Sequence, residues 1–176
     1  ERAIQQAIQC RKALLKFISP NNVGLTGSHE CGFYLPKHAW ELFTPHPPIR
    51  GSNEEHAVEA IWQDGRVTNS FVKWYGRAKQ EYRLTRFGHD FPFLDPDCVG
   101  NLLVLIPDRL DRFFLYVFDL EEDIEDIQVA LGLEIEKSWA VFNLDAETSL
   151  ESEDDCLNRI FRGFAEVLRS FPPTQV

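Results

Sequence analysis

Residues 57–62, Ala-Val-Glu-Ala-Ile-Trp, and 67–75, Val-Thr-Asn-Ser-Phe-Val-Lys-Trp-Tyr, are two runs of strand-forming side chains separated by a turn containing Asp64-Gly65. Asp-Gly adopts the positive φ that a tight hairpin needs, so the two runs read as an antiparallel pair. Short runs of the same kind recur on both sides. Ala13 to Ile18, Cys31 to Leu35, Tyr82 to Phe87, Leu102 to Ile106 and Phe113 to Asp119 each read as strands. Pro20-Asn21-Asn22, the Gly- and Asn-rich stretch 21–30, Gly76 and the Pro- and Asp-bearing stretch 89–100 punctuate them. Helices are expected at the edges only. Ala3, Ile4, Ala7 and Ile8 recur at helical spacing, Lys37 to Phe43 follows a helix-starting Pro36, and Glu121, Glu122 and Asp123 open a helix through about Leu131. A last amphipathic helix is expected from about Glu153 to Ser170. The sum is a mainly β chain with peripheral helices, a mainly antiparallel sheet or barrel, with no internal repeat.

A chain of 176 residues, 44% hydrophobic and 12% aromatic, can bury one good core. We expect a single domain over residues 1–171. We also expect Pro172-Pro173 to begin a linker, residues 172–176, to a further domain, and the absence of any Met together with the start at Glu1 leads us to expect a piece of something longer. The longest apolar runs are too short to span a bilayer, and the N-terminus lacks a basic-then-apolar leader, so no membrane partner and a cytoplasmic location are expected.

Charge is strongly polarised. Formal net charge is −10, yet residues 1–90 carry 12 basic and 9 acidic side chains, whereas 91–176 carry 6 and 19. Arg66 to Gly88 alone holds six of the eighteen Lys and Arg residues, with Glu81 as its one acid. Such a segment is an electropositive surface for phosphates, and its side chains are also of the types that read base edges.

Catalytic signatures are missing. A nuclease site of the common restriction type needs Asp or Glu two residues before a lysine, but those positions hold Cys10, Leu14, Leu35, Phe71, Arg77 and Ile135. No His-x-Lys and no Gly-rich phosphate loop occurs. Cys10, Cys31, Cys98 and Cys156 form no CxxC pair. His29-Glu30-Cys31 is the one cluster that would suit a nucleophile or zinc, and it defines one competing reading, a free-standing hydrolase or metal site. Another is a protein-interaction domain using the acidic half and helix 153–170. The main expectation is a fragment that is not an enzyme and holds no cofactor.

Thr26-Gly27-Ser28-His29, Gly32-Phe33-Tyr34-Leu35-Pro36, Gly76-Arg77-Ala78-Lys79-Gln80-Glu81-Tyr82-Arg83-Leu84-Thr85-Arg86-Phe87-Gly88 and Phe93-Leu94-Asp95-Pro96-Asp97-Cys98-Val99-Gly100 follow one another in order and spacing. With them the chain resembles, from about Lys16 to Ile127, the N-terminal effector domain of EcoRII-type (type IIE) restriction endonucleases. The resemblance implies a B3-like DNA-binding pseudobarrel, an open antiparallel β-barrel whose two arms grip the major groove of double-stranded DNA. It also implies a CCWGG-type site, a prokaryotic cytoplasm, and a C-terminal nuclease domain of the same chain that the effector domain regulates and that alone would use Mg2+. Carried over by position, the first arm comprises Lys16, Asn21, Asn22, Thr26, Ser28, His29, Glu30 and Tyr34. The second comprises Lys73, Arg77, Lys79, Gln80, Glu81, Tyr82 and Arg83. Tyr82 stands where the family has lysine, and Glu30 where it has glutamine.

The residue chemistry agrees with a target containing G·C pairs. Arg77 and Arg83 can each donate two hydrogen bonds to guanine, and Glu81 can accept from a cytosine amino group. Lys16 and Lys73 suit phosphates. An internal salt bridge from Glu81 that orients Arg77 or Arg83 is the other reading of the same residues.

Overall fold

The computed structural model describes residues 1–27, 32–147 and 160–161. Helix α1, Arg2–Cys10, buries Ala3, Ile4 and Ala7 and ends where Arg11 turns left-handed with φ 61°. The chain then runs through β1 (Lys12–Phe17), β2 (Phe33–Leu35), a 3-10 helix (Lys37–Leu42), β3 (Asn53–Trp62), β4 (Val67–Tyr75), β5 (Tyr82–Thr85), β6 (Leu102–Arg109) and β7 (Arg112–Phe118). Helix α2, Glu121–Leu131, β8, Trp139–Asn143, and a short α3, Leu144–Glu147, follow. Three acids in the first turn of α2 complement its dipole, and Gly132 closes it in the left-handed conformation. Among the described residues no helix is long and apolar enough to cross a membrane.

The eight strands form one curled half-barrel sheet in the order β2-β5-β4-β3-β7-β6-β1-β8. Its edges, β2 and β8, leave it open. The hairpin at Asp64-Gly65 is present, with Gly65 at φ 85° and the register running from Ile61 opposite Val67 to Asn53 opposite Tyr75. Every neighbouring pair is antiparallel except β3 with β7, which run parallel from Glu59 beside Arg112 to Trp62 beside Leu115. That seam joins a β2-β5-β4-β3 half to a β7-β6-β1-β8 half.

Several elements exceed the expectation, β3 and β8 among them. Strand β3 starts at Asn53, four residues before its apolar run, because β4 offers Val72–Tyr75 as partners for the polar Asn53–His56. Strand β8 has no clear alternation of its own, and the edge of β1 organises it, from Lys12 opposite Asn143 to Lys16 opposite Trp139. The expected helix over 153–170 lies, apart from Ile160 and Phe161, outside the described residues, as do residues 172–176. Both of those residues are helical, Ile160 buried and Phe161 exposed.

Two clusters of buried side chains share the sheet. The larger fills the inside of the curl, where Trp62 meets Phe33, Phe87, Phe91 and Phe93 at ring distances of 4.6–5.9 Å. The smaller lies on the other face of β1, β6 and β7 under α1 and α2. Strands β1 and β6 are therefore buried on both faces and read as continuous apolar runs. In the β2-β5-β4-β3 half the larger cluster covers one face, and the other face carries the polar residues, of which Arg83 and Thr85 of β5 are themselves buried.

The hairpin is anchored through Gly76, where the backbone comes so close to the 49–52 segment that an added Cβ would stand 2.2 Å from the Ser52 carbonyl oxygen and 2.7 Å from that of Ile49. Trp74 Nε1 donates to the same Ile49 carbonyl at 2.8 Å. Gly76→Ala is expected to cost about 1–3 kcal/mol through this backbone clash, read as a lower urea midpoint with an unchanged m-value. An unaltered midpoint would show that the 49–52 segment is not held there.

Candidate nucleic-acid interface

Strand alternation decides which side chains leave the core. In β5, Tyr82 and Leu84 point into the large cluster, so Arg83 and Thr85 face the other way. Register then lines up four side chains across four strands, since Arg83 stands opposite Tyr34 on one side and Lys73 on the other, and Lys73 stands opposite Glu55. The row Tyr34, Arg83, Lys73, Glu55 crosses the face of this half-sheet opposite the large cluster.

Within it the charges are already partnered. Arg83 Nε donates to Glu81 Oε1 at 2.9 Å, and the guanidinium lies 5.0 Å from the centre of the Tyr34 ring and 6.0 Å from that of Tyr75. Arg83 is 4% exposed and Glu81 7%. Burial raises the Glu81 carboxyl above its ordinary pKa, and the attraction and hydrogen bond of Arg83 counter part of that rise. Lys73 Nζ meets Glu55 at 3.1 Å, and Arg86, stacked 4.3 Å over Phe71, reaches the same carboxylate at 4.0 Å.

Beyond the row, the turn between β4 and β5 is pinned by Tyr75 N to the Glu81 carbonyl at 2.9 Å and by Arg77 N to Asn53 Oδ1 at 3.2 Å. Arg77 and Lys79 are exposed at its tip, and Gln80, half-buried, takes a left-handed φ of 54°. The second arm thus has an outer pair of cations and an inner, paired Arg83 with Glu81.

Other expected contacts lie elsewhere. Tyr82 is fully buried against Phe43 and Trp74, at ring distances of 6.0 and 4.8 Å, so its side chain is a core group and does not stand in for the family's lysine. Asn22 is fully buried, and Lys16, 8% exposed, lies beside Leu103 and Trp139 in its neighbouring strands. Its ammonium donates to the Phe17 carbonyl at 3.2 Å and to Asn22 Oδ1 at 3.5 Å, so it is turned inward rather than offered to a phosphate. Asn21 and Thr26 are at the surface of the first turn, and Tyr34 is half-buried. Ser28, His29, Glu30 and Cys31 lie outside the described residues. Among the described residues no group of three or more His, Cys, Asp or Glu is placed to hold a metal ion. Sequence reasoning overlooked Tyr75, Glu55, Arg86 and Asn53. Glu55 was within reach, because counting outward from the three-residue loop Gln63-Asp64-Gly65 places it opposite Lys73.

The model of the family "Restriction endonuclease EcoRII, N-terminal" matches residues 8–143. No curated protein matches in sequence. Among solved structures, the B3 domain of the UbaLAI restriction endonuclease, crystallised with its cognate DNA, is similar with a TM-score of 0.52 and 14% identity, covering 81% of this chain and 99% of that one. At that identity the likeness is one of fold, and the half-barrel has the fold of that B3 domain.

Burial lowers the Lys16 amine to about 8. Above that pH the folded chain has lost a proton that the unfolded chain keeps until its ordinary value of about 10.4, so Lys16 makes stability rise with pH between the two. Lys16→Met is therefore expected to be most favourable relative to the parent at pH 7. That advantage shrinks by about 2–3 kcal/mol by pH 10 in paired urea titrations. A difference that does not change with pH would give Lys16 an ordinary, solvated amine.

Proposed function

Because the chain belongs to the family of EcoRII N-terminal domains, we propose that it binds double-stranded DNA sequence-specifically, inserting two arms in the major groove. The observation that carries this is the Tyr34, Arg83, Lys73, Glu55 row, with Glu81 and the exposed Arg77 and Lys79, on the sheet face opposite the core. Lysine and the tip arginine suit phosphates. Arg83 and Glu81 suit the guanine and cytosine of G·C pairs, and the guanidinium's planar fork is already oriented by Tyr34 and Tyr75. The finer reading follows the family resemblance: a CCWGG-type target, and control of a C-terminal nuclease domain of the same chain in which Mg2+ and cleavage would reside.

Pairing of Arg83 with Glu81 suits selectivity. A base pair that offers both a guanine acceptor edge and a cytosine amino group replaces the internal hydrogen bond with two external ones. A base pair that lacks one of these groups offers at most one external bond in exchange for the internal one, so the exchange gains less. On this reading Glu81 and Arg83 act as a unit.

Binding selection from random duplexes at fixed near-physiological salt tests the proposal directly, since a uniform pool after selection would defeat it. Arg83→Lys keeps the charge but loses the fork, so it should lose about 1–3 kcal/mol on the preferred duplex and little on random DNA. Equal losses on both would make Arg83 a phosphate contact. Lys73→Ala, in contrast, should weaken all duplexes alike and lower the salt slope by about one.

A further inference from the structure

The turn that opens the first arm uses its polar side chains on itself. Thr26 Oγ1 donates to Asn21 Oδ1 at 2.8 Å. Asn22 points inward, where its Oδ1 accepts from Ser19 N at 2.9 Å and Ser19 Oγ at 3.0 Å while its Nδ2 donates to the Gly32 carbonyl at 3.1 Å. Gly32 N returns a bond to the Asn22 carbonyl at 3.0 Å, and Leu25 N and Gly27 N donate to the carbonyls of Pro20 and Gly24. Gly24 and Gly27 take left-handed φ of 80° and 77°, which a side chain would resist. The turn is thus fixed by its own bonds before any partner arrives.

What this fixed turn displays is Leu25, 59% exposed, the one large apolar side chain that its described residues leave in solvent. The turn is tied through Asn22 and Gly32 to β5, the strand that carries Arg83. Gly32, bonded both ways to Asn22, packs so tightly on β5 that an added Cβ would lie 2.7 Å from the Leu84 carbonyl oxygen, one residue from Arg83. A major groove presents donors and acceptors at every pair but only one apolar group, the C5-methyl of thymine.

We propose that Leu25 reads the C5-methyl group of a thymine next to the base pairs read by Arg83 and Glu81, which rests on the two-arm reading above. A preorganised turn makes an apolar contact of this kind selective, because the side chain reaches one groove position without further ordering of the backbone. The specificity of the first arm then comes partly from an apolar contact, beside whatever its polar residues contribute.

The experiment starts from the duplex that this chain prefers in selection. Each thymine is replaced in turn by deoxyuridine, which removes the methyl and nothing else, and binding is titrated at fixed salt for the parent and for Leu25→Ala. One replacement is expected to weaken the parent roughly threefold to tenfold, on the scale of one buried methyl group, and to leave Leu25→Ala unchanged. Insensitivity of the parent to every replacement, or equal sensitivity in both proteins, overturns the assignment while leaving sequence-specific binding intact. Selection that yields no preferred duplex overturns both, and so separates the two failures. Leu25 is exposed, so the substitution does not touch the core, and unchanged affinity of Leu25→Ala for random duplexes verifies that the rest of the surface is preserved.

Discussion

Burial of Tyr82 and Leu84 on one side of a four-residue strand is the constraint from which the candidate interface follows. Both side chains fill the inside of the half-barrel, with Tyr82 against Trp74 and Phe43, and a one-residue slip would exchange them for Arg83 and Thr85. Such a slip would put a guanidinium in an aromatic core, at a cost no local gain could offset. Core packing therefore sets the direction of Arg83, and the neighbouring registers bring Tyr34, Lys73 and Glu55 into line with it.

A nearly buried ion pair is an expensive thing to keep on such a face. Removing both charges from water costs several kcal/mol each, and their attraction only roughly repays it. Here the geometry helps, with a 2.9 Å hydrogen bond and two tyrosine rings flanking the guanidinium. The raised pKa of Glu81 records that desolvation still outweighs the help of Arg83 at that carboxyl. Glu55 plays a looser version of the same part for Lys73 and Arg86, in more solvent and with less energy at stake.

Much of the fold was legible because its signals are local. The Asp64-Gly65 turn, the apolar runs 13–18, 102–106 and 113–119, and the acid-opened helix 121–131 each carry their own periodicity or capping chemistry. What was not legible depends on a neighbour: β8 borrows the edge of β1, the start of β3 borrows β4, and the parallel seam of β3 with β7 joins strands some fifty residues apart. The site divides in the same manner. Residue types and their charge were visible, whereas the inward turn of Lys16 and Asn22 was not, since it depends on Trp139 and on Gly32, distant in sequence from one or both. Tyr82 is an intermediate case, for alternation along β5 already sets it against Arg83.

By itself the sequence determined the mainly β class, the central hairpin, the basic segment 66–88 and the ordered motifs of the EcoRII N-terminal family. These are properties of short stretches, where dihedral preference, turn chemistry and composition act without long-range help. Tertiary structure alone decided which of the charged and polar residues face solvent, which are paired, and which serve as interior struts. The physical reason is that burial and pairing are set by whatever other segment arrives alongside, and a polar side chain's role changes with the dielectric and partners it finds there.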